Sequence, residues 1–153
     1  MKIVLALLAL LSPVSAYAAA GVALDSKVLV ERVETTPDGG SVTTREEPDV
    51  VTPGDRLVFV LSYRNDGNEP ATGFVLTNPI PDSVAFAGTD DPRAVVSVDG
   101  GVTWGSLGSL TVVQPDGVSR PAQSADVTHI RWAFAQAVPS GAVGELTFRG
   151  VVE

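Results

Sequence analysis

The sequence predicts an all-β protein, folded as an antiparallel sandwich or barrel of about eight to nine strands. Apolar and polar residues alternate with a period of two in most segments after residue 20, which is typical of half-buried strands. Turn residues are frequent between these segments, with 15 Gly and 11 Pro in the chain. No segment has the spacing of a convincing helix, and no repeat of propeller-blade length occurs.

The first 20 residues have the three-part layout of a secretory signal peptide. Lys2 is followed by an apolar run at 3–11 and then by small residues up to Ala20. This run is too short to cross a membrane, which needs about 20 apolar residues. We therefore expect a signal peptide helix at 1–20 that is cleaved after Ala18 or Ala20. The cleaved protein is expected to be periplasmic or extracellular, without a membrane span.

The remaining residues, 21–153, have the size of one domain, and we expect a single sandwich. A chain of this length buries enough surface to fold without metal or disulfide bonds, and it has no cysteine. The net charge is −8, and losing Lys2 leaves 9 basic against 18 acidic residues, or −9. The basic residues are scattered singly, so we expect no nucleic-acid partner.

The first half of the domain predicts a hairpin and a strand that is covered on both faces. Pro-Asp-Gly-Gly at 37–40 separates two alternating segments, which predicts a long hairpin. In the segment 55–65, Val58 and Val60 lie on one face. The other face carries four large apolar side chains: Leu57, Phe59, Leu61 and Tyr63. Because both faces are apolar, the middle of this strand is expected to be buried on both sides.

Two later segments also alternate as strands do. In 127–134, His129 and Arg131 are expected to point outward. The residues predicted to point inward there are Ile130, Trp132 and Phe134. In the last segment the inward residues are Leu146, Phe148 and Val152, and they alternate with Glu145, Thr147 and Arg149.

Residues 50–88 contain short motifs in a characteristic order. They are Pro-Gly-Asp, a Tyr-bearing strand, Asn-x-Gly, Ala-Thr and a Pro-containing turn before an aromatic residue. In the same order, the residues of these motifs are Pro53, Gly54 and Asp55; Tyr63; Asn65 and Gly67; Ala71 and Thr72; and Pro79, Pro81 and Phe86. Residues 129–152 add a Trp-bearing strand, a Pro/Gly turn and a final strand. Together these resemble the conserved-repeat domain of bacterial surface proteins, also called domain of unknown function eleven. The resemblance implies an immunoglobulin-like sandwich. The family usually has Asp where Asn78 stands and usually occurs in tandem copies.

Residues 97–104, with the sequence SVDGGVTW, are similar to the Asp-box hairpin of sialidase propeller blades. In such a hairpin the Asp accepts backbone N–H bonds, Gly supplies positive φ and the aromatic residue packs against the turn. We expect Asp99, Gly100, Gly101 and Trp104 to form a structural turn of this kind. All three roles are structural, so the motif indicates a braced hairpin and not a glycosidase.

No set of residues typical of catalysis occurs. The chain has no cysteine and no Gly-x-Ser-x-Gly segment, and its one histidine, His129, falls in the middle of a strand. The adjacent carboxylates Asp90-Asp91 and Glu46-Glu47 precede prolines, where solvated turn residues are common. We therefore expect a non-enzymatic protein with no catalytic residues.

No cofactor is expected, and calcium is the one alternative for which the residue types offer ligands. Asp90, Asp91 and Asp99 are candidate ligands, because Ca²⁺ prefers clustered oxygen donors. A second group of such donors comprises Asn65, Asp66, Asn68 and Glu69. One histidine without cysteine does not favour zinc, and no phosphate-binding loop occurs, so no other cofactor is expected.

These observations predict an exported, non-enzymatic β-sandwich module of the bacterial envelope or secretome. It would act through protein–protein contact, with a protein partner or a second copy of itself. The alternative is a secreted carbohydrate-binding or carbohydrate-active protein on the same scaffold. Terminal strands often lie near sheet edges, where another strand can be added. The final segment has no charge at 150–152, so Val151 is predicted to lie at a contact edge.

Overall fold

The structure is a computed structural model that describes residues 21–153 and two short strands within the first 20 residues. These residues form thirteen strands. They are β1 (Leu5–Ala6), β2 (Ser15–Tyr17), β3 (Val22–Thr35), β4 (Ser41–Glu46), β5 (Val50–Val51), β6 (Arg56–Asn65), β7 (Val75–Pro79), β8 (Val84–Gly88), β9 (Ala94–Ser97), β10 (Thr111–Val113), β11 (Ser119–Pro121), β12 (His129–Ala133) and β13 (Val143–Val152). Two single-turn 3-10 helices, Leu107–Ser109 and Ser124–Asp126, lie in the connections.

Nine of these strands form two antiparallel sheets. One sheet has the order β4-β3-β6-β13-β8, and the other has the order β2-β7-β12-β9. Two-stranded ribbons, β1-β5 and β10-β11, lie beside them. The prediction of an all-β antiparallel sandwich with about eight to nine strands is confirmed.

The strand order differs from that of an immunoglobulin constant domain by one exchange. Without the hairpin strand β4 and the ribbons, seven sandwich strands follow residue 21: β3, β6, β7, β8, β9, β12 and β13. An immunoglobulin constant domain places the fifth strand between the second and fourth, and the seventh beside the sixth. Here the seventh strand, β13, lies between β6 and β8, and the fifth, β9, lies beside β12. The last strand is thus in the interior of a sheet.

Aromatic side chains from both sheets meet in the core. Trp132 of β12 lies 6.4 Å from Phe148 of β13, between ring centroids, and both side chains are fully buried. Phe59 of β6 stacks on Phe148 at 4.4 Å. Val58 and Val60 on the opposite face of β6 are buried as well, as predicted. The alternation of apolar residues therefore gives the correct inward faces of β6, β12 and β13.

The predicted hairpin at 37–40 extends beyond the sandwich. The pairing of β3 with β6 ends at Glu31, opposite Arg56. Beyond that point β3 pairs only with β4, through residues 32–35 and 41–44. We call residues 32–44 the arm.

The prediction that Val151 lies at a contact edge is wrong. Val151 pairs with Arg56 of β6 on one side and with Ala85 of β8 on the other. Its backbone is therefore used within the sheet and cannot accept an added strand. The alternation did give the correct face, because Val152 is buried and Val151 is half-buried on the outer side. A period of two defines the face of a strand but not its neighbours.

The predicted signal peptide helix falls on residues 1–20, most of which lie outside the described residues. At the positions that are described, Leu5–Ala6 and Ser15–Tyr17, the backbone forms strands. The signal peptide and its cleavage stay predictions. In the described part of the chain, no helix is long and apolar enough to span a membrane.

Candidate functional site

The turn at 97–104 begins at the end of β9 with a fully buried serine. The Ser97 hydroxyl donates to Asp99 Oδ1 at 2.7 Å and accepts from the Gly101 amide at 2.9 Å. The backbone carbonyl of Ser97 accepts from the amide of Thr128, which directly precedes β12, at 2.8 Å. Ser97 therefore ties both sides of the turn to the sheet.

The carboxylate of Asp99 is used inside the same turn. Its Oδ1 atom accepts from the backbone N–H groups of Val102 at 3.1 Å and Thr103 at 2.9 Å. Its Oδ2 atom also accepts from the Thr103 hydroxyl. These hydrogen bonds, led by that of the Thr103 hydroxyl, lower the pKa of Asp99 from 3.8 to about 2. The side chain acts as a brace in its ionised form.

The two glycines have the positive φ that the motif requires. Gly100 has φ +75° and Gly101 has φ +90°, where other residues are strained. A Cβ atom on Gly101 would also lie 3.3 Å from Cζ2 of Trp104. The Gly100 amide donates to Thr128 Oγ1 at 3.1 Å. The turn is thus closed by backbone conformation as well as by hydrogen bonds.

Trp104 anchors the turn on the outer face of the four-stranded sheet and not in the core. Its indole N–H donates to the Gly101 carbonyl at 2.9 Å. The guanidinium of Arg131 lies 3.7 Å from the ring centroid, and its Nε donates to Thr77 Oγ1 at 3.1 Å. The ring of His129 approaches edge-on, with centroids 6.4 Å apart. This cation–π contact holds the turn against β12.

His129 points outward, as predicted. Its Nδ1 atom lies 3.0 Å from the Thr128 hydroxyl oxygen. A cavity of about 410 Å³ lies beside it and is also lined by Asp82, Gly100 and Glu153. In the described part of the chain, no group of three or more His, Cys, Asp or Glu side chains could hold a metal ion.

The three candidate calcium ligands have separate partners. Asp90 Oδ2 lies 2.9 Å from Arg149 Nη2, and Asp91 Oδ2 lies 2.6 Å from Arg93 Nη2. The hydrogen bond from the arginine is the main reason that the pKa of each aspartate is lowered. Asp99 is bonded within its own turn. The structure therefore does not bring these three carboxylates together into one calcium site.

In the second group of candidate calcium ligands, Asn65 has a structural role. Asn65 is fully buried, and its amide nitrogen donates to the carbonyls of Glu69 and Val138, both at 2.9 Å. Its Oδ1 atom accepts from the Gly67 amide at 2.9 Å. All of these partners are protein groups, so Asn65 joins the loop after β6 to the segment before β13.

The sequence analysis did not predict the structural roles of Ser97 and of the ion pair between Arg120 and Asp126. Ser97 is the first residue of the Asp-box pattern, and that position is the signal that could have identified it. Arg120 and Asp126 form a two-pronged ion pair, with N–O distances of 2.6 and 2.7 Å. Hydrogen bonding from Arg120 lowers the pKa of Asp126 to about 2. Nothing in the local sequence marks these two residues as partners.

The described residues thus contain a turn braced by Ser97, Asp99 and Trp104, a projecting arm, and paired surface charges. Comparison with known proteins adds no relative: no protein-family model, curated protein or solved structure matches the chain.

Proposed function

We propose that this protein is an exported, non-enzymatic β-sandwich module of the bacterial envelope or secretome that acts through protein–protein contact. Its place of action would be periplasmic or extracellular. The signal peptide layout of residues 1–20 supports export. A β-sandwich offers clustered loops and strand edges to a partner, which supports a role in contact.

The arm is the observation that carries this proposal. Val33 and Val42 are 62% and 49% exposed, respectively. Val33 pairs with Thr43, and Val42 pairs with the next residue of β3, Glu34, so the two valines lie on opposite faces. An isolated two-stranded hairpin is at best marginally stable in water. Burial of these valines against a partner would stabilise both the arm and the complex.

The contacts of the braced turn agree with a structural role. The carboxylate of Asp99 and the hydroxyl of Ser97 are both engaged in the turn. The sugar-binding alternative needs a tryptophan face on which a sugar ring can stack. Trp132 is fully buried, and Arg131 covers one face of Trp104. These contacts favour the protein-contact function.

The test is capture of partners from an envelope extract by the tagged full chain. In the arm variant, Val33→Lys and Val42→Lys together place charge on both faces. We expect it to capture about tenfold less partner, as when interface hot spots are lost. Val113→Lys on the β10–β11 ribbon is the matched control, because Val113 is similarly exposed at 68%.

Both variants should keep the circular dichroism and thermal midpoint of the wild type, because all three valines are exposed. Equal capture by the wild type and a folded arm variant would remove the arm from the proposal. Hydrolysis or binding of a glycan by the purified protein, unaffected in the arm variant, would support the carbohydrate alternative.

A further inference from the structure

The two layers of the sandwich have unequal numbers of strands. From residue 21 onward, five strands form one sheet and three form the other. Trp132 of β12 packs near Phe148 of β13, and Phe74, next to β7, packs 5.6 Å from Tyr63 of β6. Strand β7 therefore lies on the β6 side of the sandwich. The next place in the smaller sheet, beyond β7, is on the side of β3.

In the structure, β2 occupies this place. It pairs antiparallel with β7, with Ser15 opposite Thr77, Ala16 opposite Leu76 and Tyr17 opposite Val75. β2 belongs to the segment that the sequence predicts to be a cleaved signal peptide. Cleavage after Ala18 or Ala20 would remove the fourth strand and leave the edge of β7 open.

The edge of β7 lacks charged side chains, which are a common protection of open edges, and its proline, Pro79, lies beyond positions 75–77, which pair with β2. Its sequence, VLTNP, contains no charged residue. In contrast, β4, which lies at the edge of the larger sheet, carries Arg45 and Glu46, and both take part in ion pairs. Across the layers, Val28 and Val30 on the inner face of β3 are buried. An added strand beside β7 would extend the smaller sheet toward that apolar face.

We propose that the edge of β7 is an acceptor site for one extended peptide strand of a partner protein, which is opened when the signal peptide is removed. The strand would run antiparallel to β7 and carry uncharged residues, as the segment around β2 does with its sequence VSAYA. Main-chain hydrogen bonds would supply affinity, and alternate side chains would face the core. This inference rests on the proposed contact function and adds to the arm a second contact surface.

Because β2 is covalently joined to β3, it competes with a partner strand for the edge of β7. A segment joined to β3 by a short connection has an effective concentration in the millimolar range, so in the full chain it outcompetes a free peptide. The full chain is therefore closed to the partner strand, and loss of β2 opens it.

The first test uses the absence of cysteine from the chain. Ser15→Cys and Thr77→Cys are introduced together, at directly opposed positions in the full chain. Directly opposed Cα atoms in an antiparallel pair are about 4.5 to 5.5 Å apart, which a disulfide can span. Mild oxidation should give an intramolecular disulfide, detected by mass spectrometry. A folded double variant that forms no disulfide overturns the pairing on which the site depends.

The second test frees the site. Ala16→Pro in the full chain removes the backbone donor of the central residue of β2 and restricts its φ, which disfavours the strand. The probe is a fluorescent peptide of residues 11–20, LSPVSAYAAA, and its control is the same peptide with Ala16→Pro. We expect the peptide to bind the Ala16→Pro chain roughly a hundredfold more tightly than the oxidised Ser15→Cys/Thr77→Cys chain. The control peptide should bind neither.

Amide hydrogen exchange separates the outcomes. Amides of β13 must stay protected in the Ala16→Pro chain to show that it is folded, and peptide addition should protect amides of β7. Equal peptide binding to both chains, or none to a folded Ala16→Pro chain, overturns the inference. If envelope partners are captured equally by the oxidised and Ala16→Pro chains, the contact function survives and the β7 site does not.

Discussion

The turn at 97–104 has two glycines with positive φ and the arm at 32–44 has one, but the two regions are stabilised differently. In the turn, Asp99 and Ser97 bond to the backbone of the turn itself, and Trp104 packs against Arg131 of the sheet. In the arm, the tip is closed by two backbone hydrogen bonds between Thr36 and the residues that follow, at 2.9 Å each. Its valines contact solvent.

This difference separates a rigid hairpin from an adaptable one. A turn whose polar groups are bonded internally opens only at substantial cost in free energy, whereas an exposed two-stranded ribbon opens locally and cheaply. Contact surfaces and mobile elements are usually drawn from the less stable parts of a protein. We therefore propose that 97–104 supports the fold and that the arm makes the contact.

The largest contrast is expected when a side chain is removed from each region. Trp104→Ala should lower the free energy of unfolding by about 2 kcal/mol, less than for a fully buried tryptophan, because Trp104 is only half-buried. Val33→Ala in the arm should change it by less than about 0.5 kcal/mol. Urea unfolding of both variants measures this. Equal effects would erase the distinction between the two regions.

Two glycines with similar φ, one in each region, are expected to respond differently to substitution. Gly101→Ala should destabilise the protein by roughly 1 to 2 kcal/mol, because a side chain is strained at φ +90° and the turn is held by its hydrogen bonds. Gly39 has a similar φ of +84°, but a Cβ atom there would meet no neighbour within 4 Å. Gly39→Ala should mainly speed amide exchange in the arm, with little change in global unfolding. A larger global effect from Gly39→Ala would contradict the comparison.

The response to acid should depend on the turn. The pKa of Asp99 is lowered in the folded protein from 3.8 to about 2, so its stabilising effect is complete above about pH 4 and disappears as the pH falls toward 2. Asp99→Asn should therefore lower stability near neutral pH and weaken its dependence on pH between 4 and 2. Thermal unfolding across this range tests the prediction. Asp49→Asn, on an exposed connection, is the control and should keep the wild-type slope.

The smallest effect is expected at the base of the arm. Glu31 Oε2 lies 3.1 Å from Arg45 Nη2 across β3 and β4. Surface ion pairs contribute roughly 0.2 to 1 kcal/mol and are screened by salt. Glu31→Gln should therefore cost about 0.5 kcal/mol at low ionic strength and nothing measurable in 1 M NaCl. A cost that persists in 1 M NaCl would show a role for Glu31 beyond its charge.

Local patterns predicted much of this architecture because their physical causes are local. Alternation placed Trp132 and Phe148 inward and His129 outward, since successive side chains on a strand point to opposite faces. Pro-Asp-Gly-Gly at 37–40 predicted the hairpin, and the Asp-box pattern predicted the hydrogen bonds of Asp99. In each case the interacting groups lie within a few residues of one another.

Other features depend on which distant segments become neighbours. Val151 was expected at an edge, but β13 inserts between β6 and β8, and no local signal encodes that order. Asn65 resembled a surface ligand, yet its amide reaches a carbonyl 73 residues away. The aspartates proposed for calcium were separated by arginines from other parts of the chain or by their own turns.

The strand faces, the turns and the bracing of 97–104 thus follow from local sequence, because backbone alternation, glycine φ and Asp side-chain bonding act over short distances. The interior position of β13, the projection of the arm and the pairing of β2 with β7 are visible only in the folded chain. These depend on sheet order, which arises from packing and hydrogen bonding between segments that are far apart in the chain.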